Sequence, residues 1–221
     1  MKSLNLLLII LIIIYCSHIC INVYTTKKMN EKFEKIENVY KNNPFINVPH
    51  DGMGEQYSLT YGELTNDGVK TIKNCLEKYK NPNDMTFIDL GSGDGKALTY
   101  AIANGFKKAK GVEIVEERHN VAVDTINKLD DIKDDITLHK GDIFKLDPSF
   151  FKDKSAIFVS NLLFPPNTRQ QLIKFLSDNT TDDTILFVSR IPDNLHKFKL
   201  IEELKVPMSW NNESRCYVLK K

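Results

Sequence analysis

The chain has 221 residues, enough for one domain of ordinary size and a smaller additional element. Its 30 lysines and arginines are balanced by 29 aspartates and glutamates. The composition therefore shows neither the basic excess that favours nucleic-acid binding nor the acidic excess typical of disorder. The four cysteines form no Cys-x-x-Cys pair and the five histidines occur singly, so no metal site is indicated. Cys75 and Cys216 are expected to be buried and reduced, which suits a reducing compartment.

The N-terminal segment is apolar. No charged residue occurs between Ser3 and Thr26, and Leu4–Val23 is dominated by leucine and isoleucine. Because a helix of roughly 20 apolar residues crosses a bilayer, we expect residues 1–26 to form an uncleaved transmembrane helix. A cleaved signal peptide and a buried core helix are the alternatives. Lysines are more frequent after this segment than before it, which predicts a single-pass membrane protein whose larger part faces the cytosol.

Residues 27–58 are predicted to be a membrane-proximal region with a short charged helix, Glu31–Tyr40, and a Pro- and Gly-containing connector, Asn42–Tyr57. Strand and helix patterns alternate in residues 59–221. The predicted helices are Asn66–Tyr79, Lys96–Asn104, Glu116–Lys128 and Thr168–Ser177, with a helical turn at Pro148–Phe151. The predicted strands are Met85–Leu90, Ala109–Ile114, Ile136–Lys140, Ala156–Ser160, Thr184–Ser189, Phe198–Val206 and Ser214–Lys220. This pattern predicts an α/β fold with a seven-stranded Rossmann-like sheet, mostly parallel, that ends in an antiparallel hairpin.

The stretch Met85–Lys96 has the pattern of a nucleotide-binding turn. An apolar strand ends at Asp89-Leu90, and the glycine-rich sequence Gly91-Ser92-Gly93-Asp94-Gly95 leads into a helix. Glycines are needed there because the turn is tight and a ligand must approach bare backbone. Glu113 ends the next strand, where an acidic side chain accepts hydrogen bonds from a ribose diol. Enzymes that bind NAD and enzymes that bind S-adenosylmethionine share these two features.

Three details favour S-adenosylmethionine over NAD. Lys96 and Ala97 stand where a dinucleotide-binding GxGxxG motif has its last glycine. Asp94 would repel a pyrophosphate, whereas S-adenosylmethionine contains no phosphate. Asp142 ends the third strand, where a carboxylate can accept a hydrogen bond from an adenine amino group. The alternatives are a helix cap for Asp142 and a solvated surface position for Glu113.

From about Tyr61 to Tyr217 the chain resembles the Dot-type (disruptor of telomeric silencing) histone-lysine methyltransferases, a family of class I S-adenosylmethionine-dependent methyltransferases. The similar segments are Tyr61-Gly62-Glu63 with Thr65 and Asp67, Asp89–Gly95, Gly111–Glu113, Gly141–Ile143, Ile157–Asn161 with Phe164 and Pro166, and Ser209-Trp210 with Tyr217. Tyr61-Gly62-Glu63 precedes the glycine motif, and Ser209-Trp210 and Tyr217 follow it. The order and spacing of these outer segments are more specific for the family than the glycine motif is. The mitochondrial ATP-synthase c-subunit lysine methyltransferases are a second resemblance, and they fit the Tyr-Gly-Glu loop less well.

The resemblance implies a protein-lysine N-methyltransferase whose cofactor is S-adenosyl-L-methionine. The residues it implies for cofactor binding are Tyr61, Gly62, Glu63, Thr65, Asp89, Gly91, Ser92, Gly93, Gly95, Lys96, Glu113, Asp142 and Ile143. In the acceptor site, Phe158, Trp210 and Tyr217 are expected to wall a lysine channel, while Ser160 and Asn161 orient the amine. The alternatives are core packing for the aromatic residues and a strand-end cap for Asn161.

Three positions depart from the family pattern. Ser160 stands where the histone enzymes carry their first Asn, and Leu162 replaces the following Phe. Leu64 replaces a Thr of the family's cofactor-covering loop, which Tyr61-Gly62-Glu63 with Thr65 and Asp67 resembles. A protein that presents a lysine is the expected substrate, and the membrane is the expected partner of Leu4–Val23. No direct nucleic-acid binding is expected, because the chain has no basic face. Methylation of a small molecule and a catalytically silent cofactor-binding scaffold are the alternative functions.

Overall fold

The computed structural model describes residues 2–41, 43 and 62–221, with side chains from Ile12 onward except that of Asn22. The helices of this part are α1 (Lys2–Tyr40), α2 (Asn66–Leu76), α3 (Lys96–Ala103), α4 (Glu116–Ile126) and α5 (Pro166–Asn179). The strands are β1 (Thr86–Leu90), β2 (Lys108–Glu113), β3 (Ile136–Lys140), β4 (Ser155–Val159), β5 (Ile185–Val188), β6 (Lys199–Met208) and β7 (Asn211–Lys220). Short 3-10 helices lie at Pro82–Asp84, Lys133–Asp135, Ile143–Lys145 and Pro148–Phe151.

The strands form one seven-stranded sheet in the order β3-β2-β1-β4-β5-β7-β6. Strands β1 to β5 are parallel, and β7 runs antiparallel to both β5 and β6. The predicted fold class is therefore confirmed for the sheet. The strand order reverses between β1 and β4, where Asp89 is paired with Phe158. In open α/β sheets such a reversal leaves a crevice outside the carboxyl ends of the strands, and ligands bind there.

Both faces of the sheet are covered at its centre, which explains the nearly continuous apolar sequences of β1, β4 and β5. Phe87 of β1 packs into the core on one face, together with residues of α1, α2 and α3. We call this the α2/α3 core. Ile88 and Leu90 point to the other face and pack with Leu172 and Ile173 of α5, in what we call the α5 core. Every residue of β1 is buried, so a side chain at its carboxyl end is held on a rigid element.

The N-terminal region differs from the prediction. The charged segment Glu31–Tyr40 is the end of α1, which runs without a break from Lys2. The transmembrane helix expected over Leu4–Val23 is not supported, because none of the helices in the described part of the chain combines the length and the hydropathy that a bilayer crossing requires. Ile36 and Tyr40, one helical turn apart, are buried in the α2/α3 core, and this anchors the charged half of α1 on α3.

Several boundaries shift by a few residues. Helix α2 ends at Leu76, three residues before the predicted Tyr79. Helix α5 begins at Pro166, two residues before the predicted Thr168, because proline is well suited to the first turn of a helix, where its missing N–H is not needed. Apart from Asn43, the expected connector Asn42–Tyr57 lies outside the described residues, and so does Tyr61.

Gly68 lets α2 approach the end of β6 closely. A Cβ atom at this position would lie 2.3 Å from the carbonyl oxygen of Pro207 and 2.6 Å from Cδ1 of Leu64. Gly68→Ala should gain about 0.5–1 kcal/mol from helix propensity, but overpacking against backbone should cost more, for a net loss of about 2 kcal/mol. Urea unfolding measures the difference, and Asn74→Ala on the exposed side of α2 is the control. Equal stability of Gly68→Ala and the unmodified protein would contradict this packing.

Candidate functional site

A cleft with about 320 Å³ of empty space opens at the carboxyl ends of β1 and β4, where the strand order reverses. It is lined by Gly62, Glu63, Leu64, Asp89, Gly91, Ser92, Asp94, Lys96, Ala97, Phe158 and Ser160. The cleft thus brings together residues of Gly62–Thr65, which we call the covering segment, with predicted residues of the glycine turn and of the end of β4.

The glycines of the turn are required for different reasons. Gly91, Gly93 and Gly95 have φ values of +96°, +54° and +80°, a left-handed region that other residues rarely adopt. No heavy atom lies within 4 Å of a Cβ built on Gly91, so bare backbone borders the cleft there. A Cβ on Gly95 would lie 2.9 Å from Cδ1 of Ile126, which shows that this end of the turn is packed against α4.

Glu113 braces the glycine turn from the end of β2. Its side chain is only 4% exposed. One carboxylate oxygen accepts a hydrogen bond from the Gly93 N–H and the other from the Val115 N–H, both at 2.8 Å. The solvated surface position considered from the sequence is therefore wrong. Each carboxylate oxygen has a further lone pair, so hydrogen bonding to a ribose diol stays a prediction.

Asp89 ends β1 as a buried acid in a negatively charged setting. Burial raises the pKa of its carboxyl well above the ordinary value, and the charges of Glu113 and Asp94 raise it further. Nearby, the buried Ser92 hydroxyl has no hydrogen-bond partner among the described residues. A cation that entered the cleft would stabilise the Asp89 carboxylate, and a phosphate would be repelled. The site therefore fits S-adenosyl-L-methionine, which carries a sulfonium and an ammonium group and no phosphate.

The predicted adenine motif lies farther along the same edge of the sheet. Asp142 accepts a hydrogen bond from the Phe144 N–H at 2.9 Å and so caps the short helix Ile143–Lys145. The helix cap considered from the sequence is thus present. The Gly141 N–H donates to the Glu113 carbonyl oxygen at 2.9 Å, which fixes this turn beside the predicted ribose residue. Adenine recognition by Asp142 and Ile143 stays a prediction.

The segment Gly62–Thr65 is bound to the turn between β6 and β7. The Glu63 N–H donates to Ser209 Oγ at 2.9 Å, and the Ser209 N–H donates to the Glu63 carbonyl oxygen at 2.8 Å. The indole of Trp210 lies over Gly62 so closely that a Cβ there would be 2.1 Å from the ring. The two outermost segments of the sequence resemblance are therefore in contact.

The predicted acceptor residues do not all meet. Ser160 and Phe158 line the cleft, and Phe158 also packs in the α2/α3 core. Tyr217 packs against the α5 core on the opposite face of the sheet, with its hydroxyl 3.3 Å from the Arg215 guanidinium. Trp210 is 45% exposed above Gly62. The structure places Phe158 and Ser160 in the cleft, Trp210 against the cleft-lining Gly62, and Tyr217 on the opposite face of the sheet from Phe158.

Asn161 is fully buried and clamps two strand ends together. Its amide nitrogen donates to the Arg190 carbonyl oxygen at 2.8 Å, and its amide oxygen accepts from the Arg190 N–H at 2.9 Å. Asn161 follows β4 and Arg190 follows β5, so the pair fixes the shape of this edge of the sheet. The strand-end alternative is the one observed.

Three aromatic and charged residues at the site were missed by the sequence analysis. The Tyr40 hydroxyl donates to the Asp94 carbonyl oxygen at 3.2 Å. The Lys96 ammonium lies 3.2 Å from the Glu37 carboxylate, which also accepts a hydrogen bond from the Tyr100 hydroxyl. The end of α1 thus supports the glycine turn from behind. The one signal in the sequence is the apolar spacing of Ile36 and Tyr40, which indicates that one side of this charged helix is buried.

With this strand order and a cleft at the strand ends, the chain has the fold of the class I S-adenosylmethionine-dependent methyltransferases. The fold is shared by a putative RNA methyltransferase from Pyrococcus horikoshii, with 15% identity over 86% of this chain and 96% of that chain and a TM-score of 0.58. It is also shared by an RNA methyltransferase from Salinibacter ruber in complex with S-adenosyl-L-homocysteine, with 17% identity over 68% and 89% of the two chains and a TM-score of 0.51. A third example is the glycopeptide N-methyltransferase MtfA complexed with sinefungin, with 10% identity over 70% and 86% and a TM-score of 0.53.

These identities are low, so the three likenesses show the fold alone. No curated protein matches the chain in sequence. Residues 55–199 match the model of the family described as "Histone methylation protein DOT1". The chain belongs to this family, which confirms the resemblance inferred from the sequence.

Replacing Asp89 should change how stability depends on pH. Its pKa is raised in the folded protein and is about 4 in an unfolded chain. Between these values the folded state binds more protons, so the free energy of unfolding falls as pH rises. Asp89→Asn should remove this fall, raise Tm at neutral pH without cofactor, and abolish cofactor binding. Thermal unfolding from pH 4 to 8 tests this, with Asp124→Asn, an exposed carboxyl on α4, as the control. Parallel pH profiles for Asp89→Asn and the unmodified protein would refute it.

Asn161→Ala should lower the free energy of unfolding by about 2 kcal/mol, because two hydrogen bonds to the Arg190 backbone are lost from a buried position. Asn161→Asp should also destabilise, because a carboxylate oxygen then faces the Arg190 carbonyl oxygen. Urea unfolding measures both changes, and the exposed Asn120→Ala on α4 should be neutral. If both Asn161 variants retained full stability and lost only turnover, the residue would act on the acceptor instead.

Proposed function

We propose that the protein is an S-adenosylmethionine-dependent methyltransferase that acts on lysine side chains of a protein substrate. Membership of the histone methylation family supports a protein substrate. The observation that carries the proposal is the composition of the cleft, where the acidic side chain of Asp89 faces the same space as Phe158 and Ser160. The part of the cleft at Asp89 is lined by acids and suits a cationic cofactor. The part at Phe158 and Ser160 has an apolar wall and one hydroxyl group.

When bound, S-adenosylmethionine supplies a methyl group that a nucleophile can displace in line from the sulfonium. The residues of the chain then have to position and desolvate the acceptor. A free lysine has a pKa of about 10.4 and is charged at neutral pH, whereas only the neutral amine has the lone pair that attacks. Burial beside Phe158 lowers the pKa of an incoming lysine by disfavouring its charge. The Ser160 hydroxyl can accept a hydrogen bond from the neutral amine and orient it.

The covering segment is proposed to close the site over the reactants. The backbone of Glu63 exchanges two hydrogen bonds with Ser209, and Trp210 lies against Gly62. A segment held in this way limits the access of water to the cleft. Phe158 and Trp210 therefore remain the proposed walls of the lysine channel. For Tyr217 to join them, its ring would have to leave its packing against the α5 core.

Methylation of a small molecule is the second candidate. Ser160 is smaller than the asparagine expected from the family pattern, which leaves more room beside Phe158 for a compact acceptor.

Incubating the protein with methyl-labelled cofactor and a cell extract should label a protein band, and hydrolysis of that band should release labelled methyl-lysine. Acetylation of the lysines in the extract beforehand should block labelling, because the lone pair of an amide nitrogen is delocalised and does not attack the sulfonium. Ser160→Ala should reduce the rate roughly ten-fold, as expected for one lost hydrogen bond, and leave cofactor affinity unchanged.

Three outcomes would contradict the lysine assignment. Label in a soluble product would favour the small-molecule alternative. Cofactor binding without any labelled product would indicate a silent scaffold. Labelling that persists after the lysines are blocked would point to another acceptor. Asp89→Asn, which should bind no cofactor, gives the background in each case.

A further inference from the structure

The cleft contains one cation among acids. Of its described lining residues, Glu63, Asp89 and Asp94 are acidic and Lys96 is basic. An ammonium group that extended into this space would oppose the negative field that a cationic cofactor requires, because like charges repel strongly where water is partly excluded. The position of the Lys96 side chain is therefore important for the choice of ligand.

The Lys96 ammonium lies against α1. It is 3.2 Å from Oε2 of Glu37 and 5.7 Å from the ring centroids of both Tyr40 and Tyr100. Two aromatic faces and a carboxylate are favourable surroundings for an ammonium group. The Lys96 side chain is 21% exposed and that of Glu37 is 53% exposed, so solvent weakens this ion pair in part.

Glu37 is itself held in place. It accepts a hydrogen bond from the Tyr100 hydroxyl on α3. Its neighbours on α1, Ile36 and Tyr40, are buried in the α2/α3 core, and the Tyr40 hydroxyl donates to the Asp94 carbonyl oxygen at 3.2 Å. Glu37 also lies outside residues 55–199, which match the family model. The Glu37 carboxylate is thus positioned beside Lys96 by the packing of α1 and by the Tyr100 hydroxyl.

We propose that Glu37 is a positioning residue that holds the Lys96 ammonium on α1 and so keeps the cleft selective for a positively charged cofactor. The inference rests on the use of S-adenosylmethionine and is independent of the acceptor. S-adenosylhomocysteine is a suitable comparison ligand, because it has the same adenosine and amino-acid parts but lacks the sulfonium charge. Releasing the Lys96 ammonium from Glu37 should therefore weaken the binding of S-adenosylmethionine more than the binding of S-adenosylhomocysteine.

Isothermal titration of Glu37→Gln with both ligands tests this directly. Gln keeps the size of the side chain and can still accept from Tyr100, but it cannot hold the ammonium by charge. The affinity for S-adenosylmethionine should fall about five-fold, the size expected for one unit charge several ångströms away in a partly hydrated cleft, with little change for S-adenosylhomocysteine. Lys96→Met added to Glu37→Gln should restore the ratio of the two affinities. Glu34→Gln, the same change at an exposed position of α1, is the control.

An equal loss for both ligands would mean that Glu37 acts only by packing, and tighter binding of both would mean that Lys96 contacts the amino-acid carboxylate. Either result, or an unchanged ratio, would overturn the proposal. Circular dichroism and thermal unfolding show whether Glu37→Gln folds. If Glu37→Gln does not fold, Lys96→Met alone is measured instead. Its ratio of affinity for S-adenosylmethionine to affinity for S-adenosylhomocysteine should be at least that of the unmodified protein, and a lower ratio would refute the proposal. Unmodified protein that bound neither ligand would refute the cofactor assignment itself.

Discussion

The hydrogen bonds of the buried Glu113 carboxylate are the constraint on which the site depends. A buried carboxylate is costly unless its oxygens accept hydrogen bonds, and Glu113 meets this requirement by binding the N–H groups of Gly93 and Val115. The same two bonds fix the glycine turn and the start of α4 relative to β2. Because β2 pairs with β1, Asp89 and the turn are held together by the sheet. The acidic side chains Asp89 and Glu113 are therefore held at the ends of two paired, buried strands.

Elements distant in sequence complete the cleft from two sides. On one side, the hairpin of β6 and β7 holds the covering segment through Ser209 and Trp210. On the other, the end of α1 supports the turn through Tyr40 and carries Glu37 to Lys96. The carboxyl edge of the sheet lies between them, with the Asn161 clamp shaping the end of β4. The contacts of the hairpin, of α1 and of Asn161 are separate from one another, so substitutions can test each of them individually.

Most of the sheet could be predicted from the sequence. Strand β1 begins one residue after the predicted Met85 and ends at the predicted Leu90, because a buried parallel strand is a short apolar run bounded by turn residues. The half-exposed edge strand β3 also has the predicted bounds. The glycine turn and Glu113 were recognised for a similar reason, since the chemistry of a tight turn restricts the residues locally. The roles of Asn161 and Tyr217 were less predictable. Asparagine suits both a clamp and an acceptor site, and an aromatic residue suits both a channel and a core.

The sequence by itself determined the fold class, the family and the acids at the strand ends, because each is encoded in a local pattern of residue types. The tertiary structure alone decided which of these side chains meet. It placed Trp210 on Gly62 and Tyr217 on the opposite face of the sheet from Phe158. It also brought Glu37 to Lys96, a contact between residues far apart in the chain. The physical reason is that such contacts depend on the packing of whole elements, which no short stretch of sequence specifies.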